Sequence, residues 1–181
     1  MAQRTYIPRP EKSEQDDCII LIGMAGSGKT TIGTALARRM DWAHMDTDHL
    51  IEAHYGTNLQ NVADSMDKES FLNVESSVCQ RVTASRTVIS TGGSVIYRKE
   101  AMQHFKSLGR IVYLKVELPV ILERISRNPD RGLAIAPGQT VEDLYNERVE
   151  LYDLYADYTV DCTTASVAEC LEAIERSLSE K

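Results

Sequence analysis

Hydrophobic positions along the chain fall into two alternating patterns. Cys18-Ile19-Ile20-Leu21-Ile22 is an unbroken apolar run, as expected for a strand covered on both faces of a parallel sheet. Shorter runs predict further strands over 43–46, 87–91, 110–116 and 158–161. Between them, apolar residues recur at three- and four-residue spacing. This predicts helices over 29–40, 49–55, 69–84, 99–106, 119–127, 141–156 and 167–178. Strands separated by helices build βαβ units, so the expected fold is α/β with a five-stranded parallel sheet flanked by helices, in one domain from residue 18 to 181. Two stretches break the rhythm. Residues 1–17 are a polar leader, and the segment from Asn128 to Gln139 gathers Pro129, Gly132, Pro137 and Gly138 beside Arg127 and Arg131, which reads as a basic loop.

Composition narrows the partners more than the fold. There are 27 acidic against 20 basic residues, a net charge of −7. Nucleic acid and anionic membrane are therefore not expected as partners, since both need a basic excess. No apolar run approaches the ~20 residues that span a bilayer, and the acidic leader resembles neither a signal nor a transit peptide. Cys18, Cys79, Cys162 and Cys170 lie far apart without CxxC spacing, so buried free thiols in a reducing cytoplasm are expected. The chain is expected to be a cytoplasmic monomer.

The strongest chemical signal follows the first strand. Gly23-Met24-Ala25-Gly26-Ser27-Gly28-Lys29-Thr30 matches GxxxxGK[ST], with a strand before it and a helix after it. Gly23, Gly26 and Gly28 let the backbone turn its N–H groups onto phosphate oxygens, and the helix N-terminus adds partial positive charge. In such a loop Lys29 bridges the outer phosphates and the Thr30 hydroxyl ligates Mg²⁺, with Ser27 and Thr31 beside them in the ATP site. The second strand ends in Asp46-Thr47-Asp48, and ligands of open α/β sheets sit at the strands' carboxyl ends. Asp46 is thus a candidate for Mg²⁺ and Asp48 for the base that accepts a hydroxyl proton, a role compatible with Asp48 also capping the following helix. Arg148 falls on the apolar stripe Val141, Leu144, Tyr145, Tyr152 and Tyr155, where a guanidinium needs a partner. His44, His49 and His54 lack metal-ligand spacing and read as surface or partly packed residues.

The P-loop, Asp46-Thr47-Asp48 with Ile51-Glu52, Phe71 and Glu75, Ser90-Thr91-Gly92-Gly93, and Arg124, Arg131, Arg148, Leu151-Tyr152 occur in this order. The ordered set resembles shikimate kinases from about Cys18 to the last helix. The resemblance implies a P-loop kinase with a small substrate-binding helical segment near 47–82 and a lid near 127–140. It implies transfer of the ATP γ-phosphate to a small-molecule hydroxyl. By the same match Asp48 binds the acceptor, Gly92 and Gly93 form its turn with a Gly93 N–H contact, Arg131 is the catalytic lid arginine, Arg124 lies against adenine, and Arg148 binds a substrate carboxylate.

The departures concern the acceptor. The family's arginine after the phenylalanine is Leu72 here, its three-glycine turn is Gly92-Gly93-Ser94, and its lid Arg-Pro-Leu-Leu is Arg131-Gly132-Leu133-Ala134. Leu72 and Glu75 share a helix face, and Glu75 lies on the stripe of Phe71, Val78 and Val82. Without that arginine Glu75 is left as an inward carboxylate in need of a cation. An acceptor bringing its own ammonium would supply one, with its carboxylate on Arg148 and its hydroxyl on Asp48. The favoured expectation is therefore homoserine, with shikimate as the alternative and pairing of Glu75 with Arg81 or Lys68 as the mundane explanation. A nucleoside monophosphate kinase is disfavoured, since residues 50–73 contain no arginine for an acceptor phosphate. A non-catalytic nucleotide-responsive module would have no need of Asp48.

Overall fold

A computed structural model describes residues 17–127 and 138–179. The elements run β1 (Cys18–Ile22), α1 (Lys29–Met40), β2 (Ala43–Asp46), α2 (Thr47–Tyr55), α3 (Leu59–Asp64), α4 (Lys68–Gln80) and β3 (Thr87–Ser90). They continue through a 3₁₀ turn (Val95–Tyr97), α5 (Lys99–Leu108), β4 (Gly109–Lys115), α6 (Leu118–Ser126), α7 (Val141–Tyr155), β5 (Tyr158–Asp161) and α8 (Val167–Ser179). The five strands form one parallel sheet in the order β2-β3-β1-β4-β5. All five residues of β1 are buried, as its central place and continuous apolar run require. The four cysteines are free and buried.

Because every strand points the same way, the loops after β1, β2 and β3 open on one edge. The chain leaves β1, skips a place to β2, returns to β3 and then crosses to β4, so β1 is where the winding reverses. That is where open α/β sheets leave a crevice. A large core packs around the sheet. A second, smaller core of Ile51, Val62 and Phe71 joins α2, α3 and α4. These three helices have their own caps, with Asp46, Asn58 and Asp67 each accepting a hydrogen bond from the first turn.

Most bounds fall within two residues of the sequence reading, but α4 ends at Gln80 rather than 84, and the segment after β2 differs in two further ways. Helix α2 begins at Thr47 rather than 49, and its cap is Asp46, whose side chain accepts from the Asp48 amide; Asp48 is inside the first turn and caps nothing. Helix α3 was not anticipated. It has six residues with only Val62 buried, too short for a periodic signal. The expected lid, and Arg131 with it, falls largely on residues outside those described.

Candidate active site

The phosphate cradle is built by backbone conformation. Gly23, Gly26 and Gly28 adopt φ of 144°, 84° and 96°, in the region where a Cβ is strained. The turn delivers Lys29 to the start of α1, where its Nζ donates to the Gly23 and Met24 carbonyls at 2.7 and 2.8 Å. The ammonium thus lies folded over the loop in which phosphate oxygens would sit. Thr30 Oγ1 donates to Asp46 Oδ2 at 2.8 Å, while Asp46 Oδ1 accepts from the Asp48 amide at 3.0 Å. A hydroxyl and a buried carboxylate in contact, both facing the cleft, are hard oxygen donors of the kind Mg²⁺ takes. His44 is partly packed. Its ring nitrogens meet Thr34 Oγ1 and Ser90 Oγ at 3.3 and 3.0 Å, and the Ser90 hydroxyl donates to the Lys29 carbonyl, so the imidazole braces the start of α1 against β2 and β3.

One cleft of about 690 Å³ brings Lys29, Thr30, Thr31, Asp46, Asp48, Gly93 and Arg148 together. Behind the P-loop a smaller cavity of about 290 Å³ is lined by Gly26, Ser27, Thr31 and Arg124, with Cys162 and Cys170 at its back. Arg124 Nη1 donates to the Gly26 carbonyl at 3.0 Å, which ties α6 to the loop.

Glu75, Leu72 and Gly92 are not among the residues that line the cleft; Leu72 and Glu75 are buried, and Glu75 packs against Gly92. Gly92 has no room for a side chain, since a Cβ there would collide with the Glu75 carboxylate and come within 2.8 Å of Asp48 Oδ1. Its amide donates to Thr47 Oγ1 at 3.1 Å. Burial pushes the Asp48 carboxyl up to about 6, reinforced by the Asp46 charge and opposed by Lys29. Burial likewise lifts Glu75 to about 7, with a hydrogen bond from Ser94 and the charge of Arg148 pulling the other way. The Ser94 hydroxyl donates to Glu75 Oε2 at 2.6 Å.

Arg148 is only 2% exposed, as the helical stripe requires. Its Nε donates to the Tyr97 hydroxyl at 3.2 Å, and its Cζ lies 5.3 Å from the centre of the Tyr97 ring. Among the described residues its Nη2 has no hydrogen-bond partner. Arg148 also lines the cleft, and a buried guanidinium nitrogen without a partner beside a cleft is suited to an anion. The Tyr152 hydroxyl donates to the Gly93 carbonyl at 2.6 Å, fixing the turn beside it. Sequence reading missed Tyr97, Ser94 and Thr47. Only Ser94 carried a signal, as the interruption of a glycine turn.

Residues 25–179 match the family model described as shikimate kinase. The shikimate kinase of Chromobacterium violaceum is 35% identical over 150 residues, covering 81% of this chain and 82% of that one. That of Cupriavidus pinatubonensis is 32% identical over 154 residues, covering 83% and 80%. Among solved structures, the Acinetobacter baumannii shikimate kinase in complex with shikimate superposes with a TM-score of 0.83 at 29% identity, covering 93% of this chain and 97% of that one.

These findings overturn homoserine as the favoured acceptor, because they point to shikimate kinases and none supports a homoserine kinase. The physical premise fails as well. Glu75 is not an orphan anion, since Ser94 satisfies one oxygen and burial raises its pKa to about 7, so it needs no external ammonium. Neither Arg81 nor Lys68 forms an ion pair with it among the described residues; Lys68 sits over the Tyr97 ring instead. With the P-loop, the strand-end carboxylates and the buried arginine in the family's order, and with the family model matching residues 25–179, this chain belongs to the shikimate kinase family.

Proposed function

We propose that the protein transfers the γ-phosphate of ATP to a hydroxyl of shikimate. The observation that carries this reading is the cleft in which Lys29, Asp48 and Arg148 converge, the last with a buried Nη2 that has no partner among the described residues. It offers a cation for the transferring phosphate, a carboxylate for a hydroxyl and a guanidinium for a carboxylate, and shikimate carries both of the latter groups. The names of the relatives point to the same acceptor.

In this reading Gly23, Gly26, Ser27, Gly28, Lys29, Thr30 and Thr31 hold the phosphates, and Arg124 packs at the adenine end. Thr30 and Asp46 would hold Mg²⁺, which supplies charge neutralisation on the phosphates when bound. Asp48 orients the acceptor hydroxyl and takes its proton as the oxygen bonds to phosphorus and ADP leaves. Its pKa of about 6 leaves it ionised at neutral pH yet basic enough to accept. Arg148 fixes the acceptor carboxylate and Gly93 forms the turn beside it. Leu72 adds a buried apolar side chain to the helix face that carries Glu75. Arg131 would come from the lid onto the transferring group.

The test is ADP release by the purified protein with Mg-ATP across shikimate, gluconate, other hydroxylated acids and nucleoside monophosphates. Shikimate should be turned over, and Lys29→Ala should lower kcat by at least about a hundredfold, the scale of about 3 kcal/mol of electrostatic stabilisation. Shikimate left untouched while another acid is phosphorylated would overturn the acceptor, and an undiminished Lys29→Ala would overturn the mechanism.

A further inference from the structure

Two cations share one ring. The Lys68 Nζ lies 5.5 Å from the centre of Tyr97, and the Arg148 Cζ lies 5.3 Å from the same centre. Like charges gathered around a single side chain repel, all the more when one is buried. Of the carboxylates closest to Lys68 in sequence, Asp64 accepts from Gln60, Asp67 from the amide and hydroxyl of Ser70, and Glu69 from Arg98. Lys68 forms no ion pair with any described residue.

Helix α4 has no other cation. Leu72, four residues on and therefore on the same face, is apolar and buried. Glu75 is occupied by Ser94. Lys68 is thus a half-buried ammonium over an aromatic face with no described carboxylate paired to it, a weak contact that an arriving anion can displace. The anion position is marked independently by the buried, unpartnered Nη2 of Arg148.

We infer that Lys68 is a second cationic grip on the acceptor's carboxylate, resting on Tyr97 and swinging to the anion that Arg148 binds. The inference deepens the proposed function and rests on it. It makes Lys68 a specificity residue, since Arg148 alone would accept any carboxylate that reached it, whereas two cations resting against one ring select for an anion placed beside that ring.

The test compares wild type with Lys68→Met and Lys68→Arg, using shikimate and its uncharged carboxamide, the latter as substrate or as competitor. Lys68→Met should raise KM for shikimate about tenfold, the scale of one charge-assisted hydrogen bond, with kcat and KM for ATP within about twofold. Lys68→Arg should stay near wild type. The carboxamide should bind both proteins alike, which a merely structural role for Lys68 would not produce. An unchanged KM for shikimate, or an equal loss of affinity for acid and carboxamide, would overturn the inference. Wild-type protein inert toward shikimate would instead strike down the acceptor reading beneath it.

Discussion

Asp48 and Glu75 crowd the same glycine, yet only Asp48 faces the cleft. Glu75, 1% exposed, has its pKa raised from 4.5 to about 7 by burial, so the folded protein holds a proton there that the unfolded chain has released. The contribution of Glu75 to stability therefore falls as pH rises from the unfolded value through about 7, and stays lost above it. Glu75→Gln removes that ionisation while keeping an oxygen for Ser94. The variant should match wild type in urea titrations near pH 4.5 and be more stable at pH 8.5, by up to about 3 kcal/mol. A gap that is flat with pH would contradict the buried-proton account. Asp48→Asn probes the other carboxylate. It should lower kcat about a hundredfold or more, as loss of a general base does, and leave the KM for ATP unchanged.

At the scale of elements, the loop after β3 must pass between two carboxylates. Gly92→Ala would drive a methyl into the Glu75 carboxylate, which cannot swing aside because it is buried and bonded to Ser94. A loss of about 1–3 kcal/mol is expected. Truncating Glu75 to Ala in the same chain should return part of it, so that the two changes couple in a double-mutant cycle; strict additivity would place the strain elsewhere. The same loop shows what was legible in advance. β1 announced itself because a strand buried on both faces is apolar throughout, and α7 because its apolar stripe carried Arg148 inward. The P-loop's backbone turn demands glycines at fixed places, so it too was written in residue types. What stayed hidden depends on distant partners. Thr47 accepts from Gly92 across 45 positions, and Tyr97 meets Arg148 across 51. Neither residue departs from its own local pattern. Glu75 was read correctly as inward, but its partner was not, because a serine 19 residues away satisfies it and local spacing says nothing about that. Helix α3 is held by Val62 in a small separate core and by Glu52 accepting from the Leu59 amide, again contacts from outside the segment.

Across the whole molecule, the strand order β2-β3-β1-β4-β5 places the loop after β1, the carboxylates after β2 and the turn after β3 on one edge of a rigid sheet. No helix among the described residues is long and apolar enough to cross a membrane. Ligands binding this edge touch elements from both sides of the central strand, so their binding energy should appear as stability of the whole fold. At a hundred times Kd a ligand adds about 2.7 kcal/mol, which for a chain of this size is a rise in Tm of about 5–10 °C. This gives a way to separate the two strand-end carboxylates without measuring turnover. If Thr30 and Asp46 hold Mg²⁺, the increment in Tm of Mg-ATP over ATP alone should vanish in Thr30→Val and Asp46→Asn. It should persist in Asp48→Asn if that carboxylate serves the acceptor, as proposed. Loss of the metal increment in Asp48→Asn, with Asp46→Asn unaffected, would exchange the two roles: Asp46, which caps α2 and accepts from Thr30, would be structural, and Asp48 would be the metal's.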